Sequence, residues 1–509
     1  MNVSCPANPH VHHAPGAVAR LRDAASAAPG GSAMAPLAEI RRIVSRVPAI
    51  AVFEHRAEIS AVLQRSHQDG STYEALASAL HAPIRPDPVW QKLLIALRAG
   101  MLHLHESAPH AFLALRRLAL ALALDAGRAG YDDPLPWPIA GRTTSLAQLC
   151  QSSGQPSVER DLAMLAYGML LPPPTDFARI VEADGVTLAE ATILMAETVG
   201  IRMHIQRACG RVEALGSIEH EVSRRVGDHH DAYPFPIWRD PAEAATETPL
   251  HDSFRGRIND ELFRGAFRVL VAGCGTGRDP IALARASASA QVLGFDLSPS
   301  SLAYAMHKAG ELGVGNVAFA RADVLALPAR LGQFAQVEAV GVIHHTADPQ
   351  KALKILGGHL LPGGVLKLAV HSARARAPLR AVKAAIDRLP AAAMSTRGAL
   401  LSAVIDAPQH SPFAALKFNR DFYAVASRRD LLFHPCETSF TPSNVADLGR
   451  RAGLRLLGFG FWSGDHKRAY HQSFPSDPFA ADADRVSRFE HLHPSAFARM
   501  IVAYFTKDA

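Results

Sequence analysis

Arg268-Val269-Leu270-Val271-Ala272-Gly273-Cys274-Gly275-Thr276-Gly277 is an apolar run of strand length that ends in three alternating glycines. A strand that feeds a glycine turn and then a helix brings main chain within contact distance of a nucleoside-bearing ligand, because a Cβ at those positions would stand in the ligand's space. The spacing argues against a dinucleotide. The Gly-x-Gly-x-x-Gly fingerprint needs a small residue at position 278, where this chain has Arg278, and the third glycine comes one residue early, at Gly277.

The sequence that follows supplies what a nucleoside needs. The apolar run Gln291-Val292-Leu293-Gly294-Phe295 ends in Asp296, and a carboxylate at the tip of a second parallel strand can accept both ribose hydroxyls. A third strand is expected over Asn316 to Ala320, delivering Asp323, and a fourth over Phe334 to Val340, opening into Gly341-Val342-Ile343-His344-His345. Leu360-Leu361-Pro362-Gly363-Gly364 reads as a turn before a fifth strand, Val365 to Val370.

This order of elements resembles the class I methyltransferases that use S-adenosylmethionine and release S-adenosylhomocysteine. The resemblance implies that Gly273, Cys274, Gly275, Thr276 and Gly277 cradle the methionyl part and ribose. It implies too that Asp323 accepts from the adenine amine, and that Leu297, Val324 and Gly341 complete the cofactor site. One position departs from the family pattern: an acid often stands two residues before the first glycine, and here that residue is Val271. The implied fold is α/β, a seven-stranded Rossmann-like, doubly wound sheet with its last strand antiparallel, preceded by an all-α domain. The remaining elements fit it, with a helix over Ser443 to Ala452, a sixth strand over Leu454 to Phe461, a helix near Arg485 to Arg499 and a seventh strand over Met500 to Phe505.

Length and composition suit a multidomain enzyme: 509 residues, 48% hydrophobic, formal net charge +6. The basic residues are spread out and not interleaved with aromatics, so nucleic acid is not an expected partner. Cys5, Cys150, Cys209, Cys274 and Cys436 form no Cys-x-x-Cys pair, no metal ligand is assigned, and a reducing compartment is inferred. With no secretory leader and no unbroken apolar run of about 18 residues, the expectation is a cytoplasmic protein without a membrane span. Ala111 to Ala126, interrupted by Arg116 and Arg117, reads as a buried amphipathic helix.

Four regions are expected. Residues 1–36, rich in Ala, Pro, Gly and Ser, form a disordered leader in which Cys5, His10, His12 and His13 have no folded frame. Residues 37–226 carry helical patterns, as at Ile40, Ile43, Val44 and Val47, at Trp90, Leu93, Leu94 and Leu97, and over Val186 to Ile201, without a convincing 34-residue repeat. Residues 227–255 are a Pro/aromatic linker containing Tyr233-Pro234-Phe235-Pro236-Ile237-Trp238, and residues 256–509 are the catalytic domain with a helical lid insertion at about 373–440. The likeness widens to bacterial class I methyltransferases with an N-terminal helical, often tetratricopeptide-like, region, through that linker and through Arg420-Asp421-Phe422-Tyr423, Arg429-Asp430-Leu431-Leu432-Phe433-His434 and Phe474-Pro475-Ser476-Asp477-Pro478.

A sulfonium methyl is already electrophilic, so chemistry needs an aligned nucleophile and, for a hydroxyl or protonated amine, a base. His345 is the leading base candidate, with His344 beside it and His371 and His434 as further candidates; an orienting role for His344 and His345 stays open. No Asn-Pro-Pro-Tyr or Asp-Pro-Pro-Tyr follows the fourth strand, which disfavours base or glutamine amines. No Pro-Cys nucleophile stands there either. A small metabolite is the first expectation for the acceptor. A protein or peptide presented by the helical domain, or a regulatory protein that binds cofactor without turnover, are the alternatives.

Overall fold

Along Phe267–Ala272 (β1) the buried side chains divide by period two: Leu270 and Ala272 enter one apolar cluster, Phe267, Val269 and Val271 the other. A strand covered on both faces is the mark of a doubly wound sheet. The computed structural model describes residues 35–66, 87–115, 118–123, 205, 207–238, 250–388 and 397–508. Residues 1–34 of the expected leader, the Val186 to Ile201 helix and residues 239–249 of the expected linker lie outside the described residues, while Ala35 and Pro36, expected at the leader's end, begin a helix.

The described residues fall into two compact units, residues 1–199 with 388–425, and residues 200–387 with 426–509. In the first unit, Ala35–Ser45 (α1), Arg56–Ser66 (α2), Pro88–Ser107 (α3) and Pro109–Ala114 (α4) are helical. Asp87 caps α3 by accepting from the Val89 and Trp90 amides, with Pro88 in the first turn. A helix from the insertion, Arg397–Ile405, belongs to this unit, and Asp406 just beyond it accepts from the Ala49 amide at 2.6 Å and pairs with Lys92 at 3.4 Å. The central part of the insertion thus packs with the N-terminal helices.

The second unit opens with Glu221–Ala232 (α5) and then winds the sheet: β1, Arg278–Ala286 (α6), Ala290–Asp296 (β2), Pro299–Glu311 (α7), Val317–Arg321 (β3), Phe334–Val340 (β4), Pro349–Gly358 (α8) and Leu360–Val370 (β5). Ala377–Ile386 (α9), Val425–Phe433 (α10), Pro442–Arg451 (α11), Arg455–Gly460 (β6), Gly464–Ser473 (α12), Ala483–Leu492 (α13) and Ile501–Thr506 (β7) complete it. Strand order is β3-β2-β1-β4-β5-β7-β6, with β1 to β5 parallel and β7 antiparallel to both neighbours. Helix starts follow local chemistry, with Ser298 accepting from Ser301, Asp348 from Lys351, and a Thr441–Asn444 capping box, each followed by proline. The order reverses between β1 and β4, which opens a crevice at the carboxyl ends of those strands.

Two boundaries differ from the sequence expectation. β5 starts at Leu360, because Leu360 pairs with Phe334 before a register shift brings Val365 opposite Gln336, so Pro362 and Gly363 sit in an irregular strand start. The helix expected to run to Arg499 ends at Leu492. No helix among the described residues is long and apolar enough to cross a membrane.

Candidate functional site

Gly273, Gly275 and Gly277 all have positive φ, at 56, 51 and 82 degrees. The chain's own packing already demands their missing side chains. A Cβ on Gly275 would lie 2.4 Å from the Phe235 carbonyl oxygen, one on Gly273 2.2 Å from Val342 Cγ2, and one on Gly277 2.5 Å from Ala305 Cβ. The Phe235 contact comes from the Pro/aromatic segment after α5, which runs over the glycine loop as a strap. Thr276 Oγ1 donates to the Pro236 carbonyl, Trp238 Nε1 donates to the Thr276 carbonyl at 3.0 Å, and the Tyr304 hydroxyl of α7 donates to the Trp238 carbonyl. Trp238 is 1% exposed, so the strap is anchored by a buried indole. Gly275→Ala is expected to cost about 1–3 kcal/mol by adding left-handed backbone strain and pushing the strap away. An unchanged urea midpoint would show that the strap yields freely.

Asp296 ends β2 facing this loop. Its Oδ2 accepts from the Gly275 amide and its Oδ1 from the Ser298 amide, both at 2.9 Å. Each oxygen keeps a second lone pair. Burial pushes its carboxyl above the ordinary range, against the pull of the Ser298, Gly275 and Leu297 amides. Asp323, 4% exposed beyond β3, uses Oδ1 to accept from the Leu325 amide at 2.9 Å, and its Oδ2 has no partner among the described residues. Leu297 and Val324 follow the two acids directly, and Gly341, at φ 78 degrees, follows β4. Cys274 is buried against Gly294, and burial first, then Asp296, raises its thiol well above the usual value, so it acts as a spacer. Val271 is 3% exposed in the core beneath the loop.

At the other side of the crevice, β4 and β5 run in register, Val340 opposite Ala369, and so bring His344 and His345 beside His371. Ring centroids are 3.8 Å apart for His344–His371 and 4.1 Å for His344–His345. The segment after α10 lies along these ends: Thr438 N donates to the His344 carbonyl at 2.8 Å and Phe440 N to the His371 carbonyl at 2.9 Å. It delivers His434, whose ring stacks on His345 at 3.5 Å, and Glu437, which accepts from Arg376 at 2.6 Å and Lys383 at 2.8 Å and bonds His371 Nδ1 at 3.1 Å. Two residues that sequence reasoning did not name, His229 and His230 of α5, reach His434 at 5.3 and 5.4 Å. Asp231 of the same helix turn accepts from the Ser300 amide at 2.8 Å and thereby fixes α5 to the start of α7.

Burial holds all six imidazoles below their ordinary pKa. His229 and His230 are lowered to about 4 and His434 to about 3; neighbouring His230 and Arg429 add to the effect at His229, and His230 and His229 at His434. His344 and His345 are held well below 6.5 by burial and then by each other's neighbours, His371 and Arg376 for the first, His344 and His434 for the second. His371 is lowered by burial in spite of its bond to Glu437. Burial works against the Glu437 anion, but His371, Arg376 and Lys383 outweigh it and hold its carboxyl far below the ordinary range. The site therefore pairs two carboxylates at the β2 and β3 ends with a neutral imidazole cluster at the β4 and β5 ends.

Comparison with known proteins gives the same domain. Residues 269–364 match the family described as "Methyltransferase domain". An uncharacterized protein of Synechococcus sp. is 30% identical over 279 residues, covering 49% of this chain and 63% of its own length. The demethylmenaquinone methyltransferase of Thermus thermophilus is 39% identical over 112 residues, 22% of this chain and 50% of that protein. Among solved structures, PKMT2 from Rickettsia typhi in complex with AdoHcy aligns at 16% identity with a TM-score of 0.35, over 48% of this chain and 49% of that one. The chain thus spans between half and two thirds of the length of these two curated relatives.

Proposed function

We propose, for a chain whose sheet-bearing unit carries a class I methyltransferase domain, that it transfers a methyl group from S-adenosylmethionine to a small-molecule nucleophile. The observation that carries this reading is the pair of carboxylates at successive strand ends, Asp296 with a free lone pair on each oxygen and Asp323 with Oδ2 unused, flanking a positive-φ glycine loop at the switch point of the sheet. These residues fit an adenosyl group. Asp296 takes the ribose hydroxyls, Asp323 Oδ2 accepts from the adenine amine, Leu297 and Val324 wall the base, and the 273–277 loop with Gly341 receives the methionyl end. When bound, S-adenosylmethionine supplies the electrophilic sulfonium methyl.

The chain's own contribution is alignment and proton removal. Strap and loop hold the crevice closed on one side, and positioning of this kind lowers a barrier by about 7–11 kcal/mol. His345 Nδ1 lies 2.7 Å from the Cys436 carbonyl and donates to it, which leaves the Nε2 lone pair as the acceptor. Its lowered pKa keeps that lone pair free at neutral pH. As general base His345 would contribute about 10²–10⁴-fold, with His344 orienting it. Names of relatives support the metabolite acceptor: besides the Thermus enzyme, a trans-aconitate 2-methyltransferase of Deinococcus radiodurans is 35% identical over 103 residues.

The test is incubation of the purified protein with methyl-labelled S-adenosylmethionine and fractionated lysate. Label is expected in the small-molecule fraction. Label confined to macromolecules would replace the metabolite with a protein or peptide acceptor, and saturable cofactor binding with no label transferred would leave only the regulatory reading.

A further inference from the structure

His344 is 0% exposed, and neither of its ring nitrogens has a hydrogen-bond partner. A neutral imidazole carries one N–H donor and one lone pair, so leaving both unmet in the interior costs about 1–3 kcal/mol per group. Its surroundings are other imidazoles. His344, His345 and His371 each offer a ring nitrogen, and these three atoms lie within 4.8 Å of one another. Three nitrogen ligands of a tetrahedral zinc-class ion, at about 2.0–2.1 Å from the metal, stand about 3.3 Å from each other, so a small rotation of the rings closes the set.

The outer bonds fix the tautomers that such a set requires. His345 Nδ1 is bonded to the Cys436 carbonyl at 2.7 Å, and His371 Nδ1 to Glu437 Oε1 at 3.1 Å, which is the arrangement in which a ligating histidine donates its other N–H to a carbonyl or carboxylate. Both Nε2 lone pairs then remain for a ligand. Glu437 is held in turn by Arg376 and Lys383, so the His371 ring is fixed through a carboxylate that cannot swing away. Three segments 26 to 92 residues apart converge on these rings, and parallel pairing of β4 with β5 sets two of them.

We propose that His344, His345 and His371 bind one divalent transition-metal ion of the zinc class. Three imidazoles with no carboxylate oxygen among them suit zinc, cobalt or nickel and do not suit magnesium or calcium, which require oxygen ligands. The three ligands do not include Asp296 or Asp323, so metal binding is read directly and without the cofactor. It assigns His345 Nε2 to the metal, and in the loaded protein the base named above would be relieved of that role.

Full-length protein stripped with chelator and titrated with Zn²⁺ or Co²⁺ in a calorimeter is expected to bind one ion per chain at micromolar affinity or tighter, and to give no signal with Mg²⁺. His371→Gln and His344→Gln should each weaken binding at least a hundredfold, and Glu437→Gln about 10–100-fold by freeing the His371 ring. Thermal unfolding of each metal-free variant, read in the same samples, certifies the fold. X-ray absorption of the wild-type cobalt form, which needs no variant, should report three imidazole nitrogens. Absence of a bound ion, a first shell without three imidazoles, or binding that survives His344→Gln, as it would if exposed histidines elsewhere were responsible, overturns the proposal and leaves a packed imidazole cluster.

Discussion

Asp296→Ala is expected to bind S-adenosylmethionine about 10²–10⁴-fold more weakly than the wild type. The figure follows from two hydroxyl donors losing a charged acceptor, at about 1.5–3 kcal/mol each. The same substitution releases the Gly275 and Ser298 amides, now held at 2.9 Å, so the loop loosens where the methionyl end must lie. The sheet itself should persist, because Leu270, Phe295 and Ala339 beneath the site are buried apolar residues that do not depend on the carboxylate. Asp296→Asn, which can still accept at one oxygen but turns an N–H₂ group toward an amide, should fall between the two. Equilibrium dialysis measures the affinity and thermal unfolding checks the fold. Undiminished affinity in a folded Asp296→Ala would remove Asp296 from the site. Asp323→Ala, which removes the acceptor of a single donor, is expected to cost about 10–100-fold.

How far the sequence alone reaches is clear from particular residues. β1 and β2 are readable because strands buried on both faces are written as largely apolar runs, and β4, which carries Gln336 and Glu338, because it opens into a glycine turn at the expected place in the order. The start of β5 is not, since Pro362 and Gly363 imitate a turn and only the pairing of Leu360 with Phe334 makes a strand of them. Helix α12 was missed for a different reason: across Gly464–Ser473 only Tyr470 is buried, too little for a periodic signal. In the site, the glycines and the two acids are legible because each is fixed by chemistry within a few residues of a strand end. The Tyr233–Trp238 segment was legible as something that packs, but not that its Phe235 carbonyl lies over Gly275. The histidine cluster was visible only in fragments. His344, His345, His371 and His434 could be singled out one by one, whereas His229, His230 and Glu437 join them only through tertiary packing across more than 200 residues. No local spacing encodes that meeting; paired histidines at 229–230 and 344–345 are the sole hint.

The sheet-bearing unit should lose stability steeply in mild acid. His229 and His230 titrate near 4 and His434 near 3 in the folded chain, against 6.5 when exposed, so the unfolded chain binds more protons below 6.5. Stability is then constant above that pH and falls as the pH drops toward 4, by about 1.4 kcal/mol per pH unit for each histidine. At pH 5 His230 and His434 would each remove up to about 2 kcal/mol and the half-exposed His229 less, because solvent screens it, a sizeable share of the stability of an ordinary domain. Glu437 does not offset this, because its depressed pKa makes its contribution complete above the ordinary carboxylate range and lost only at lower pH. Urea midpoints measured between pH 7.5 and 5 in the presence of chelator read the effect free of any metal contribution. His230→Gln should flatten the slope by close to one proton, since its ring is lowered by burial alone. A midpoint that does not move between pH 7 and 5 would mean that these imidazoles reach solvent and are already protonatable in the native state. Because α5 is tied to the start of α7 through Asp231, protonation at His229 and His230 pushes directly on the helix beside Asp296. Cofactor affinity should therefore decline over the same pH interval as the midpoint.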